Sequence, residues 1–516
     1  TISKAEVLYD PGFSTIDAVI VKYDAELNFL WARAVGGSKD DTFERIAVTS
    51  AGDIVAVGKI SGDITIDGTD QTLSGTQSTD GCIVVYDKDG NYKSSAQIKA
   101  AGASLCYSVA VDKSDNIFVT GSTVGATDFG NEKTVTIEGS NPGTFLACYN
   151  NSLVCQWAIA GSSPVQSYGW AVNFDKEENI LLTGRFGTTF TITGTDGEAL
   201  TTAVGSESSQ DTYVAKLSHE GVGQWITYVT NSNRIDTRSI DSDSQGNVYI
   251  WGHCQSAVTP EGQSPLGFNG NFDSFLIKYS SAGAYLDGMN LGGSGRDEAK
   301  SLFVDADDNI YVAGNVNGDG SKGGTAVNMN PRGESKDYTF KGHDGYVAKY
   351  NGSTWELMQL EKTVTPDNAN QHEVAWCVTM SPDYNKVYVT GYFNNGATVF
   401  DGASLTLPFV QDYDIYTVLY SYTLMVKTKT LEPGVANEPY YSNIVVDNVE
   451  GAVKFEIVSG TLPDGITLSK DGAFAGTPTK NGSYTFTVKI SDDVSSIQKE
   501  YTLVIKSGEG CDVFIV

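Results

Sequence analysis

Short apolar segments with period-two alternation recur along most of the chain, each bounded by Gly, Asn, Asp or Ser. One group reads NIFVTG (116–121), NILLTG (179–184), NVYIWG (247–252), NIYVAG (309–314) and KVYVTG (386–391). Before it stands a segment such as SVAVD (108–112) or SLFVD (301–305). After it comes a phrase of the form D-x-h-h-h-K-Y, opened by Asp17, Asp80, Asp211, Asp273, Asp344 and Asp414, with a degenerate copy, GTFLACY, from Gly143. A fourth segment often carries a tryptophan, as at Trp31, Trp157, Trp225 and Trp355. Alternation of this kind, with β-branched and aromatic residues between turn formers, predicts strands joined by tight turns. Turns such as DKSDN (112–116) and DADDN (305–309) supply residues that tolerate a left-handed backbone.

The phrase returns at spacings of 63, 63, 68, 62, 71 and 70 residues. Four strands per period predict a β-propeller, in which neighbouring small sheets bury one another's faces. The chain opens with third and fourth strands at 17–35 and then runs through six pairs of first and second strands, ending with 376–393. Six blades are expected, with seven as the alternative. Ring closure is expected to join the N-terminal strands to the last pair. The phrase at 414–421 is then one strand too many: either the third strand of the last blade or an addition to it. The phrase, the Trp strand, the GGS triplets (Gly36 to Ser38, Gly292 to Ser294) and the hhVDxxxNhYVTG pattern resemble the SBBP-type β-propeller repeat of bacterial surface proteins over about residues 17–421.

The rhythm stops at 421. The strand around Lys454–Ser459, LPDGITLS (462–469), the GTPT turn (476–479) and YTFTVKISD (484–492) resemble the bacterial Ig-like domain family, which implies a β-sandwich. Expected domains are a propeller over 1–421, an Ig-like sandwich over 422–507 and a short tail over 508–516. SKDGAF (469–474) is read as a hairpin turn, and the tail as an edge strand or a truncation scar.

Composition narrows the function. The formal charge is −29, which repels phosphate backbones and argues against a nucleic-acid partner. The apolar fraction of 40% supports packed cores rather than disorder. Seven cysteines without a CxxC pair point to apolar fillers rather than a zinc site, with a Cys148–Cys155 bridge as a minor alternative. No apolar run approaches the ~20 residues of a membrane-spanning helix. The two resemblances imply an extracytoplasmic protein of a bacterial envelope, secreted or at the cell surface, anchored as a lipoprotein through a segment that precedes this sequence.

Candidate chemistry lies where the innermost strands converge. Aligning the first strands on their apolar pairs leaves a preceding column of Glu44, Tyr107, Trp170, Arg238, Lys300 and Trp376. Just after the second strands come Arg185, His253 and Tyr392, on the same face as the long connections 61–79 and 316–343. Aromatic platforms with charged groups suit a glycan or protein ligand. Plugging of the channel by the same rings is the competing structural reading. The four histidines fall in no HExxH, GxSxG or phosphate-loop setting, so the chain reads as a binding protein rather than an enzyme. A polysaccharide hydrolase or lyase, and a structural part of a surface assembly, are the alternatives. No cofactor is expected. A structural Ca²⁺ at turns such as DSDSQGN (241–247) is the weaker reading, because such turns lack the bidentate Glu of a calcium loop. The Asp of each repeated phrase is read as an acceptor for backbone N–H groups.

Overall fold

The computed structural model describes residues 17–507 except 26, 68, 70, 204–209, 318–324, 335–336, 341–342, 365–372, 382–385, 394–397, 401–405, 408–413, 422–423, 427, 429, 448, 450 and 493–495. Among the described residues every regular element is a strand, so no helix is long and apolar enough to cross a membrane. The expected tail strand at 508–516 lies outside the described residues. The chain divides into two compact units. The first runs to Thr379 and includes Val389–Val418; the second holds Met380–Tyr388 and the chain from Leu419.

In the first unit the predicted four-strand sets are present. The second set is Ser104–Val111, Ile117–Thr123, Gly143–Tyr149 and Cys155–Ser162, antiparallel in that order from the inside outward. The third set, Ser167–Phe174, Ile180–Phe186, Asp211–Leu217 and Gly223–Thr230, repeats it. Adjacent sets share cores: Val55, Val57 and Ile83 of the first set pack with Cys106, Val119 and Phe145 of the second. This mutual burial is what a small sheet needs, because it cannot cover both of its faces alone.

The strand pairing at the two ends of the repeat array settles the place of the last phrase. The last pair, Glu373–Met380 and Lys386–Phe393, takes Asp414–Ser421 as its third strand. The seventh copy of the phrase is therefore not surplus. The N-terminal hairpin, Ala18–Tyr23 with Phe29–Gly37, pairs instead with the first set, where Val35 lies opposite Ile66. Similar stitches hold later sets together: Gly161 of one outer strand pairs with Ile192, and Val229 with Pro260. The long connections after the second strands thus fold back onto the preceding set, and their Ile66, Phe190, Ile192 and Val258 are buried. The connection at 61–79 is likewise not a free binding loop: most of it continues strands Ile54–Ile66 and Thr72–Tyr86.

The repeated phrase has a mechanical role at both ends. Its Asp accepts backbone N–H groups, as Asp211 does from Asn231 at 3.1 Å and Asp273 from Asn269 at 2.6 Å. Its Lys neutralises the buried Asp of the turn between the first two strands. Lys216 meets Asp175 at 2.6 Å and Lys278 meets Asp243 at 3.0 Å. That turn Asp also cages its own loop: Asp243 Oδ1 accepts from the N–H groups of Gln245 and Asn247, and Oδ2 from Asn247 Nδ2. The turns turn left-handed at Gly246 and Asp308, as the sequence predicts. Because donors surround the Asp243 oxygens, DSDSQGN does not read as a calcium loop.

Five cysteines are buried and unbridged, in keeping with apolar fillers, and Cys377 is half-buried and free. The Cys148–Cys155 bridge is not made. Cys148 packs into the core holding Ile180 and Leu182, whereas Cys155 packs into the opposite core with Val55 and Phe145. Burial pushes both thiols up to about 12.

The second unit contains a β-sandwich. One sheet runs Gly434–Val435, Ser496–Lys506, Gly482–Ser491, Lys454–Gly460; the other runs Tyr440–Asn443, Ala473–Gly476, Ile466–Leu468. Phe474, Phe486, Val488 and Leu503 fill the space between them. SKDGAF is a hairpin turn, with Ser469 and Ala473 bonded across it and Gly472 left-handed at φ 79°.

Candidate functional site

The first strands of all six sets line one cavity of about 710 Å³, together with Val19 of the N-terminal hairpin. In the five sets whose register is described, each of these strands carries a β-bulge at the same place. The pairing skips from Phe43 to Arg45, Cys106 to Ser108, Gly169 to Ala171, Thr237 to Ser239 and Ala299 to Ser301. The extra residues are Glu44, Tyr107, Trp170, Arg238 and Lys300, the column picked out in the sequence. A bulge re-aims one side chain and leaves the rest of the strand in register, which explains why a column between apolar positions is chemically varied.

The glycine ending each NhYVTG segment is the counterpart of the bulge. A Cβ on Gly121 would lie 1.8 Å from the Leu105 carbonyl oxygen, and on Gly184 1.8 Å from that of Tyr168. On Gly391 it would lie 1.9 Å from the Val374 oxygen, the same relation two residues before Trp376. Only glycine lets the two backbones approach so closely.

Glu44, Tyr107, Trp170, Arg238, Lys300 and Trp376 meet, with Arg45, around a small pocket of about 50 Å³. Tyr107 packs against Trp170 with ring centroids 4.4 Å apart, and Tyr168 stacks on the same indole. Arg238 lies 5.0 Å over the Trp170 ring and Lys300 4.5 Å over that of Trp376. Arg185 lies 4.8 Å over Tyr168, so it joins the cluster. The Tyr392 ring is 6.0 Å from Trp376. His253 is placed differently from the other candidates. It is buried, with Nδ1 3.3 Å from the Ala299 carbonyl, and it braces the cluster from behind.

Sequence reasoning missed the anionic anchors. Asp236 is fully buried, with Arg234 at 2.6 Å, Arg185 at 3.2 Å, His253 at 3.7 Å and Arg238 at 3.8 Å. Burial alone would raise its carboxyl, but the cations, Arg238 foremost, hold it below the usual range. Glu298 bonds Lys300 at 2.7 Å and Arg296 at 2.6 Å; despite burial, Lys300 and its neighbours bring it down to about 2. Burial, then the Arg238 charge, lowers His253 to about 4, so its ring is neutral at pH 7. The missed signal was RIDTR (234–238) and RDEAK (296–300), where charges at every second position share one strand face. Among the described residues no cluster of three or more His, Cys, Asp or Glu is placed to hold a metal ion.

Comparison with known proteins agrees with the two-part architecture. A family model described as "Beta-propeller repeat" matches residues 95–130, and one described as "Putative Ig domain" matches residues 417–506. A WD repeat-containing protein of Acanthamoeba polyphaga mimivirus is 22% identical over 359 residues, covering 57% of this chain. The match takes in only 26% of that protein's length. Among solved structures, the extracellular domain of a one-component system of B. thetaiotaomicron is 10% identical, with 98% of this chain and 87% of that one covered and a TM-score of 0.15. A SusE-like surface-located polysaccharide-binding protein from the heparin utilisation locus of Bacteroides thetaiotaomicron is 14% identical, with 48% and 44% covered and a TM-score of 0.14. At such TM-scores neither likeness bears on fold or function. The repeated strand sets around one cavity, the matched repeat at 95–130 and the matched sandwich at 417–506 together show an SBBP-type β-propeller repeat and a C-terminal Ig-like domain within this chain.

Proposed function

We propose that this chain is a non-catalytic, extracytoplasmic binding protein of a bacterial surface that recognises a glycan at the mouth of its propeller cavity. We read the propeller as six-bladed, one blade for each first strand that lines the cavity. The observation that carries the reading is the gathering of the six column residues at one end of that cavity, each on a separate strand. Five described bulges aim these side chains inward, and Trp376 keeps 46% of its surface exposed there. A half-exposed indole beside a ring of polar groups offers a stacking face and directional partners together, as sugar recognition requires. The Ig-like module that follows supports an extracytoplasmic setting and would serve as a spacer or a second contact module.

A glycan array read with the native protein, Trp376→Ala and Lys113→Ala tests this reading. Truncating a central aromatic contact typically costs ~2 kcal/mol or more, about thirtyfold in affinity. Trp376→Ala should lose that much, and Lys113→Ala, in a turn between first and second strands, should lose nothing. Unfolding of each variant is followed alongside, so that a loss of fold is told from a loss of binding. Undiminished binding by Trp376→Ala would place recognition elsewhere, and release of reducing sugar would replace binding with hydrolysis.

A further inference from the structure

The charge of the mouth runs against that of the whole protein. The chain carries a formal −29. Yet Arg185, Arg234 and Arg238 gather on the single carboxylate of Asp236, and Arg296 with Lys300 on that of Glu298. Arg45 adds another guanidinium, 3.4 Å from the Arg238 carbonyl oxygen, and Glu44 another carboxylate. Six cations thus stand beside three carboxylates. Burial lowers the Lys300 ammonium, offset by Glu298 and reinforced by Arg238, and the Arg238 charge helps to lower His253.

A second observation is independent of the charge count. Arg185 Nε, Arg238 Nε and Trp170 Nε1 are buried donors that meet no acceptor among the described residues. They belong to one stack, because both guanidinium groups lie within 6 Å of the Trp170 ring, at 5.7 and 5.0 Å. A buried donor without an acceptor is costly, and three together in a cationic setting call for an acceptor that carries negative charge.

We propose that the mouth takes a glycan bearing an oxyanion, a carboxylate or a sulfate. The anion lies against the Arg185–Trp170–Arg238 stack and Lys300, and the apolar face of the sugar lies on Trp376. This rests on the mouth being the binding face. The aromatic platforms favour a sugar over an acidic peptide, whose backbone offers no comparable flat apolar face.

The test uses the full chain and matched probes in calorimetric titrations: oligogalacturonate against its methyl ester, dextran sulfate against dextran, and oligoglutamate. The expected result is that at least one of the two anionic glycans binds at least tenfold tighter than its neutral partner. That preference should shrink several-fold when salt rises from about 50 to about 300 mM, because exposed charge attraction is screened. A stronger response to oligogalacturonate assigns a carboxylate, and a stronger one to dextran sulfate assigns a sulfate. Arg238→Gln should remove the preference and Arg238→Lys should keep most of it. The salt series on the native protein decides the matter should either variant fail to fold. Equal binding of charged and neutral partners would overturn the oxyanion while leaving a glycan site in place. Binding of oligoglutamate alone would overturn the glycan. Binding of no probe at all would overturn the oxyanion-glycan assignment, and retention of neutral-glycan binding on the array would then show that the mouth itself still stands as a binding face.

Discussion

His219 Nε2 donates to Asp112 Oδ2 at 2.6 Å, reaching over from the next strand set. In its own set the position that would supply this partner holds Cys148 instead of the lysine of the phrase. The first set solves the same problem with Lys93, 2.5 Å from Asp53, where Val85 replaces the lysine. The turn carboxylate is therefore matched in each case, although the matching residue moves. His219→Ala should destabilise the protein by about 1–3 kcal/mol, the cost of leaving a buried polar group short of a partner. His219→Lys should restore most of it. Urea denaturation of the two variants at pH 7 measures both, and equal loss in both would show that ring packing against Phe118 is the larger contribution.

Gly184→Ala should be among the more damaging single methyl additions. Its Cβ would lie 1.8 Å from the Tyr168 carbonyl oxygen, so the backbone pair must separate and the bulge at Trp170 must shift. The expected loss is about 1–3 kcal/mol, typical of overpacking, with a change in tryptophan fluorescence of the folded protein. Gly267→Ala is the control, since nothing lies within 4 Å of its Cβ.

Stability should rise as pH falls from about 8 to about 5. Burial raises Asp41 and Asp273 to about 6 and Asp241 and Asp297 to about 7. A carboxyl raised in the folded state costs stability once it is ionised, and that cost disappears as pH falls below its folded pKa toward the unfolded value. Below pH 4 the trend should reverse, because Asp112, Asp175, Asp236, Asp243 and Glu298 are all lowered in the folded protein and lose their partners on protonation. Melting temperatures across pH 3–8 should therefore pass through a maximum near pH 5. A monotonic decrease from pH 8 downward would show that the paired carboxylates outweigh the buried ones throughout.

The sandwich should fold by itself. Its core, from Leu424 to Ile505, contains only residues of that module. A fragment starting at Leu419 and ending at residue 507 is expected to unfold cooperatively in a calorimeter. A broad, non-cooperative transition would show that the module depends on the propeller, and that the expected boundary at 421–422 is misplaced.

Much of this molecule is written locally. The strands at NILLTG or DSFLIKY are legible because a half-buried strand needs period-two alternation and its turns need Gly, Asn or Asp, and both demands fall within a few adjacent residues. The period between phrases then carries the repeat, and aligning the apolar positions brings Glu44, Tyr107, Trp170, Arg238, Lys300 and Trp376 into one column. What the sequence left open depends on which strand lies beside which. The phrase at 414–421 could have been an addition, and pairing with Lys386–Phe393 made it the third strand of the last set. The connection at 61–79 looked like a free loop, although the alternation of Ile64 and Ile66 was there to read; pairing with the preceding set turned it into a stitch. His253 followed the same motif position as Arg185, yet neighbouring strands buried the imidazole and left the guanidinium on an aromatic face. Asp236 acquired its meaning only in space, because Arg185 and the neutral His253 reach it from two other strands and join Arg234 and Arg238 of its own segment, and electrostatic partners are chosen by distance rather than by order along the chain.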